Sequence, residues 1–210
     1  MSLDLKDKRV WDAWRTEYKR MSTEAQKKFH DEIEAQYPDQ KHFNLKMALD
    51  AFDTVRPVVV VEIGGWKGDL AKEVISYQWS IKEWWNIEIC QAAIKKSVCT
   101  DIRYSVIEPP EFNWFKLPPF DPKKVDLLVA THFIEHISDE DFCDLIRSIR
   151  GVKYVYFEAP LSKHGSDWKG YTGTHKLRMG WSEVEKFMFM MGFISYPKKD
   201  KYCRLFKFMQ

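Results

Sequence analysis

Val58 to Ile63 is a continuous apolar stretch broken only by Glu62, and it runs straight into Gly64-Gly65-Trp66-Lys67-Gly68. A β-branched run this short, without alternation, is the mark of a strand buried on both faces. Asp69 to Tyr77 follows with helical patterning, so the unit reads strand, glycine turn, helix. The pattern repeats. A second strand over Trp84 to Ile89 precedes helical Gln91 to Val98, and a third spans Ile102 to Ile107. Glu108 to Pro122 holds five prolines and reads as a long loop. A fourth strand, Val125 to Ala130, leads through Thr131 to His136. Ser138 with Asp141 then caps a helix ending at Arg150. A fifth strand, Val152 to Phe157, is followed by a loop over His164 to Met179. Ser182 with Glu185 reads as a capping box for a helix to Met191, which Gly192 stops.

Strands alternating with helices imply an α/β fold around a parallel sheet. Phe193 to Tyr196 and Tyr202 to Phe208, with no helix between them, imply an antiparallel hairpin at one edge. Ligands of such sheets bind beyond the carboxyl ends of the strands, where the strand order reverses. The functional residues are therefore expected just after each strand.

The first 56 residues read as a separate helical extension. Thr23 with Gln26 forms a capping box, Glu24 to Gln36 is rich in helix formers, and Asn44 to Phe52 is amphipathic. Trp11, Trp14, Tyr18 and Met21 recur at helical spacing. They read as a packing stripe or, alternatively, as a lid over a site. Several classes fall away. Lys+Arg is 33 against Asp+Glu at 31, which lacks the lopsided charge of a histone-like nucleic-acid binder. No apolar run approaches the ~20 residues of a membrane span, and Met1 to Asp7 is too polar for a signal peptide. The four cysteines are scattered without a CxxC, which fits a reducing cytoplasm. Nine tryptophans are a surplus for one core. Trp79, Trp84 and Trp85 read as structural, while Trp66, Trp114, Trp168 and Trp181 fall in or beside candidate site loops.

At the strand ends, Gly64, Gly65 and Gly68 offer a backbone that a ligand can approach closely. Glu88 closes the second strand, where a carboxylate can accept ribose hydroxyls. A nucleoside-containing cofactor is the shared implication. The turn lacks the G-x-G-x-x-G dinucleotide spacing. Asp69, following Gly68, would repel the phosphates of a P-loop ligand. A cofactor without a pyrophosphate fits better.

These residues resemble class I S-adenosylmethionine-dependent methyltransferases. The resemblance is carried by Val60-Val61-Glu62-Ile63-Gly64-Gly65-Trp66-Lys67-Gly68, by Glu88, and by Asp126 to His136. It extends to Glu158-Ala159-Pro160, His175, Trp181-Ser182 and Gly192-Phe193, covering about Pro57 to Phe208. It implies a Rossmann-like, seven-stranded, mostly parallel sheet with an antiparallel last strand and helices on both faces. The domain implied is 57–210, with 1–56 as extension or lid. Glu62 and the glycines would hold the amino-acid part of S-adenosylmethionine, and Glu88 the ribose. Trp66, Ile89, Glu108, Thr131 and His132 would complete the cofactor site. Trp66 stands where the family has its middle glycine, a departure in the path of the turn.

His132-x-x-Glu135-His136 is the remaining chemical segment. No Asn/Asp-Pro-Pro-Tyr follows the fourth strand and no Pro-Cys occurs, which sets aside methylation of base amines and of cytosine C5. On a helical turn the three side chains would share a face. The string resembles the metal motif of O-methyltransferases that act on adjacent hydroxyls, with His132 replacing a glutamate and His175 as the distal ligand. A divalent metal held by His132, Glu135, His136 and His175 is one implication. The other is that Glu135 and His136 cap and pack the next helix, leaving His132, His136 or His175 as a catalytic base. Residues 161–210 carry ten basic and four acidic side chains, which suits an anionic acceptor or a solvated face. The sequence therefore points to O-methylation of a small molecule or sugar hydroxyl. The alternatives are a metal-dependent enzyme acting on a nucleic-acid end or other vicinal diol, and a non-catalytic binding protein of the same fold.

Overall fold

The structure, a computed structural model, describes residues 43–108, 119–161, 177–197 and 200–209. The Trp11–Met21 stripe, the Thr23–Gln26 capping box, Trp114, Trp168 and His175 lie outside these residues. In chain order the described elements are α1 (Leu45–Val55), β1 (Val59–Ile63), α2 (Asp69–Tyr77), β2 (Glu83–Ile87), α3 (Gln91–Lys95) and β3 (Tyr104–Ile107). They continue with β4 (Leu127–Thr131), α4 (Asp139–Ser148), β5 (Tyr154–Glu158), α5 (Trp181–Met190), β6 (Phe193–Ser195) and β7 (Cys203–Phe208).

The seven strands form one sheet in the order β3-β2-β1-β4-β5-β7-β6. β1 to β5 are mutually parallel, while β7 runs antiparallel to both β5 and β6. The expected fold class and closing pair are both present. The starts of the central strands are tied by one side chain. Asp126 Oδ2 accepts from Val58 N–H and Val59 N–H, each at 2.9 Å, and its Oδ1 accepts from Lys153 Nζ at 2.5 Å.

Alternating residues of the same strands feed two cores. Val60, Trp84, Leu127, Val129 and Tyr156 pack with α1 and α2. Val61, Ile63, Ile87, Leu128, Ala130, Val155 and Phe157 pack with α4 and α5. The period of two explains why continuous apolar strands are needed. α1 contributes directly: Phe52 stacks on Trp84 with centroids 5.4 Å apart and planes at 8°. Asn44 caps α1 by accepting from Met47 N–H.

Some expectations are corrected. α5 does not begin with a Ser182–Glu185 box. Gly180 is its N-cap, and Glu183 accepts from Gly180 N–H at 2.8 Å. Glu185 instead pairs with Arg204, whose guanidinium lies over the Trp181 ring. Trp181 is thus buried, not part of an open loop. Trp79 is not structural packing, being 88% exposed. α3 stops at Lys95, short of Val98.

Candidate cofactor and acceptor site

From β1 the chain winds outward through β2 to β3, then returns to β4 on the other side of β1 and continues outward to β5. The order therefore reverses between β1 and β4, and the carboxyl ends of these two strands open the crevice where a ligand of this architecture binds. Gly64 to Gly68 leave β1 there, and His132 and Phe133 leave β4. The two loops touch, because a side chain at Gly64 would meet Phe133 Cδ2 at 3.0 Å.

The turn is tightly wound. Gly64, Trp66 and Gly68 have φ of 67°, 52° and 79°. Gly64 N–H donates to Ile87 C=O and Gly68 N–H to Gly65 C=O, at 2.9 and 2.8 Å. The left-handed region is natural for glycine but costly for Trp66. The glycines were expected to let a ligand approach. The structure shows that the protein itself fills the space their side chains would take. A Cβ at Gly65 would lie 2.5 Å from Glu62 Cδ and 2.6 Å from Asn86 Oδ1, and one at Gly68 would lie 2.5 Å from the Tyr104 hydroxyl.

Glu62 sits under this turn, 1% exposed, its Oε2 accepting from Trp84 Nε1 at 3.0 Å. Burial pushes its carboxyl up to about 8. Trp84 opposes this and the negative charges of Glu88 and Asp69 add to it. At neutral pH Glu62 is held as the acid. Glu88 directly follows β2, as expected, but its carboxylate turns inward. Oε2 accepts from Trp66 N–H at 2.9 Å, and Oε1 accepts from Ile89 and Cys90 N–H at 2.8 Å. It therefore binds the turn to the start of α3. Trp66, Ile89, Ile107 and Phe133, each in or next to these loops and strand ends, are half-buried. Glu108 is exposed at the end of β3, and Thr131 is buried at the end of β4.

Asn86 escaped the sequence reading. It is fully buried, accepts from Gly65 N–H at 3.0 Å, and donates to Trp66 C=O at 3.3 Å and to the Tyr104 hydroxyl at 2.9 Å. The available signal was an amide two residues before Glu88, interrupting the apolar run Trp84 to Ile87, hence on the same face as Glu88.

His132 has φ of 51°, and its N–H donates to Glu158 C=O at 2.7 Å. A single 3-10 turn, Ile134–His136, follows. His132, Glu135 and His136 therefore do not lie on one continuous α-helical face. Instead both imidazoles face one carboxylate oxygen: Glu135 Oε1 is 3.2 Å from His132 Nδ1 and 4.0 Å from His136 Nε2. His132 Nε2 lies 3.7 Å from Glu158 Oε1. Burial alone would lower the His132 pKa, but the Glu135 hydrogen bond and the charges of Glu135 and Glu158 prevail and raise it. Glu158 is buried too. It accepts from Asn44 N–H at 2.7 Å and from the Tyr156 hydroxyl at 3.1 Å, so the start of α1 is tied to the same place.

Among the described residues no group of three His, Cys, Asp or Glu is arranged to hold a metal ion. His132 is hydrogen-bonded to Glu135, with His136 4.0 Å from the same carboxylate oxygen, and a metal is not supported by this geometry. Among the described residues no helix is long and apolar enough to cross a membrane.

No protein-family model matches the chain, and no curated protein matches it in sequence. Solved structures do resemble it. Human N-acetylserotonin methyltransferase in complex with S-adenosylmethionine superposes with a TM-score of 0.63 at 16% identity, over 88% of this chain and 55% of that one. The Haloferax volcanii complex between the Trm112 methyltransferase activator and a proposed methyltransferase gives 0.70 at 12% identity, over 90% and 98%. The methyltransferase domain of bacterial CtHen1 gives 0.57 at 12% identity, over 79% and 97%. The present chain thus spans about half the length of the human enzyme. At these identities the likeness establishes the fold, which is that of the class I S-adenosylmethionine-dependent methyltransferases.

Proposed function

We propose that this chain is an S-adenosylmethionine-dependent methyltransferase that methylates a hydroxyl of a small molecule or sugar. The observation that carries the reading is the contact of the two loops at the β1–β4 reversal. It brings the glycine turn and the His132–Glu135 pair to one crevice. The bound cofactor supplies a methyl group on a sulfonium sulfur. Gly64, Gly65, Trp66 and Gly68 would hold its amino-acid part, with Glu62 beneath. Glu88, whose Oε2 accepts one backbone N–H and whose Oε1 accepts two, would take the ribose through Oε2, with Ile89, Glu108 and Thr131 near the nucleoside. Trp66 and Phe133, half-buried beside the turn, would keep water from a bound cofactor.

A hydroxyl nucleophile must lose its proton as it attacks. Glu135 Oε1 fixes the proton of His132 on Nδ1, which leaves Nε2 as the basic atom. His132 Nε2 takes the hydroxyl proton, and the imidazolium formed lies between the Glu135 and Glu158 carboxylates.

The basic residues of 161–210 suit an anionic acceptor only in part, because Arg204 is engaged by Glu185 and Trp181.

The test is calorimetric titration with S-adenosylmethionine. Affinity in the micromolar range is expected for the wild-type chain, weakened about tenfold or more in Glu88→Ala. Binding no tighter than millimolar removes the enzyme reading and leaves a protein of this fold with another role. Transfer of labelled methyl into lysate fractions, divided into small molecules, glycan, nucleic acid and protein, then identifies the acceptor.

A further inference from the structure

Asn86 stands at the centre of a polar column on one face of the sheet. Glu62 of β1 is its register partner, and Tyr104 of β3 is its hydrogen-bond partner. Its amide bridges two peptide groups of the turn on consecutive residues, receiving from Gly65 N–H and donating to Trp66 C=O. Trp66 N–H is held by Glu88. Asn86 of β2 and Glu88 just beyond its end thus grip both ends of the one non-glycine residue that the turn forces into a left-handed backbone. A side chain fully removed from water keeps its shape only with its polar atoms paired, and Asn86 presents an acceptor and two donors to three matching partners. This is the fixed part of the site, whereas Trp66 above it is half-buried.

We infer that Asn86 is a positioning residue for the glycine turn and sets the affinity for the amino-acid part of the cofactor. The inference rests on the reading of that turn as the S-adenosylmethionine site. Asn86 touches no ligand itself. It holds the Gly65 and Trp66 peptides in the orientation that presents the turn to the ligand's amino-acid end. The nucleoside end, bordered by Glu88, Ile89 and Glu108, does not depend on it.

The experiment titrates wild type, Asn86→Ala and the milder Asn86→Ser with two probes. S-adenosylhomocysteine carries the amino-acid part, and methylthioadenosine lacks it. Far-ultraviolet circular dichroism and melting establish that each variant is folded. S-adenosylhomocysteine binding is expected to weaken about tenfold in Asn86→Ala and less in Asn86→Ser, as expected for about one buried hydrogen bond. Methylthioadenosine binding should stay within about twofold of wild type. Should Asn86→Ala fail to fold, Asn86→Ser carries the comparison. Equal weakening of both probes, or unchanged S-adenosylhomocysteine affinity in a folded variant, overturns the inference alone. A wild-type chain that binds neither probe overturns it together with the cofactor reading.

Discussion

Replacing Gly65 by alanine separates two reasons for a glycine in a turn. Gly64 and Gly68 have left-handed backbones, but Gly65 does not. Its backbone would accept alanine, and the reduced freedom of the unfolded chain would even favour it by ~0.4–1 kcal/mol. Space forbids it. The added methyl would lie 2.5 Å from Glu62 Cδ, 2.6 Å from Glu62 Oε2 and 2.6 Å from Asn86 Oδ1. Comfortable contact between such atoms is ~3.5–4.0 Å, so the neighbours must retreat by about 1 Å. Both are buried and sit opposite each other on paired strands, so neither can swing into solvent. Overpacking of this kind costs ~1–3 kcal/mol, and the strained Gly65–Asn86 hydrogen bond adds ~1 kcal/mol. The expected loss is about 2–4 kcal/mol, or about 5–15 °C in Tm for a chain of this size. Thermal melts by circular dichroism measure it. A cycle with Asn86→Ala should show the two losses to be less than additive by ~1 kcal/mol, since removing Oδ1 relieves part of the clash. A Tm within 2 °C of wild type at about the precision of the melt, or strict additivity, would falsify the packing argument.

Three further outcomes follow from the same geometry. Glu62 has a folded pKa of about 8 against an ordinary 4.5, so its stabilising contribution is complete below 4.5 and is lost as pH rises towards 8. Relative to Glu62→Gln, wild-type Tm should fall by ~2–5 °C per pH unit between pH 6 and 8, and parallel curves contradict this. His132→Ala should lower turnover of the labelled acceptor by ~10²–10⁴, far more than it weakens S-adenosylhomocysteine binding, while undiminished turnover places the base elsewhere. Phe52→Ala removes a ring stacked on Trp84 and should cost ~3–5 kcal/mol in a urea melt, and a loss below ~1 kcal/mol would show that α1 is not integral to the core.

Much of the fold was legible because it is written in local patterns. The apolar run before Gly64 gave β1, the polar end of the next run gave Glu88, and Ser138 with Asp141 gave the start of α4, where Ser138 Oγ accepts from Asp141 N–H. The strand ends were displaced by at most two residues, as in β3, which starts at Tyr104 instead of Ile102. Apolar residues continue past the last ladder bond, so composition does not mark where pairing stops. The α5 start was misplaced because Ser182 and Glu185 have the right spacing for a box, but Gly180 and Glu183 have it too. In the structure Glu183 accepts from Gly180 N–H, and Trp181, the first residue of the helix, is buried.

The sequence by itself determined that a strand, a glycine turn and a helix meet beside an acid, and that a histidine–glutamate string follows the fourth strand. Short-range periodicity and spacing suffice for that. Tertiary structure alone decided what these residues do to one another. Gly65 must be glycine because Glu62 and Asn86 occupy its side-chain space, and Gly68 because of Tyr104. His132 is placed against Glu158, 26 positions away, by the pairing of β4 with β5. Those partners are remote in the chain and adjacent only through strand order, which no local pattern records.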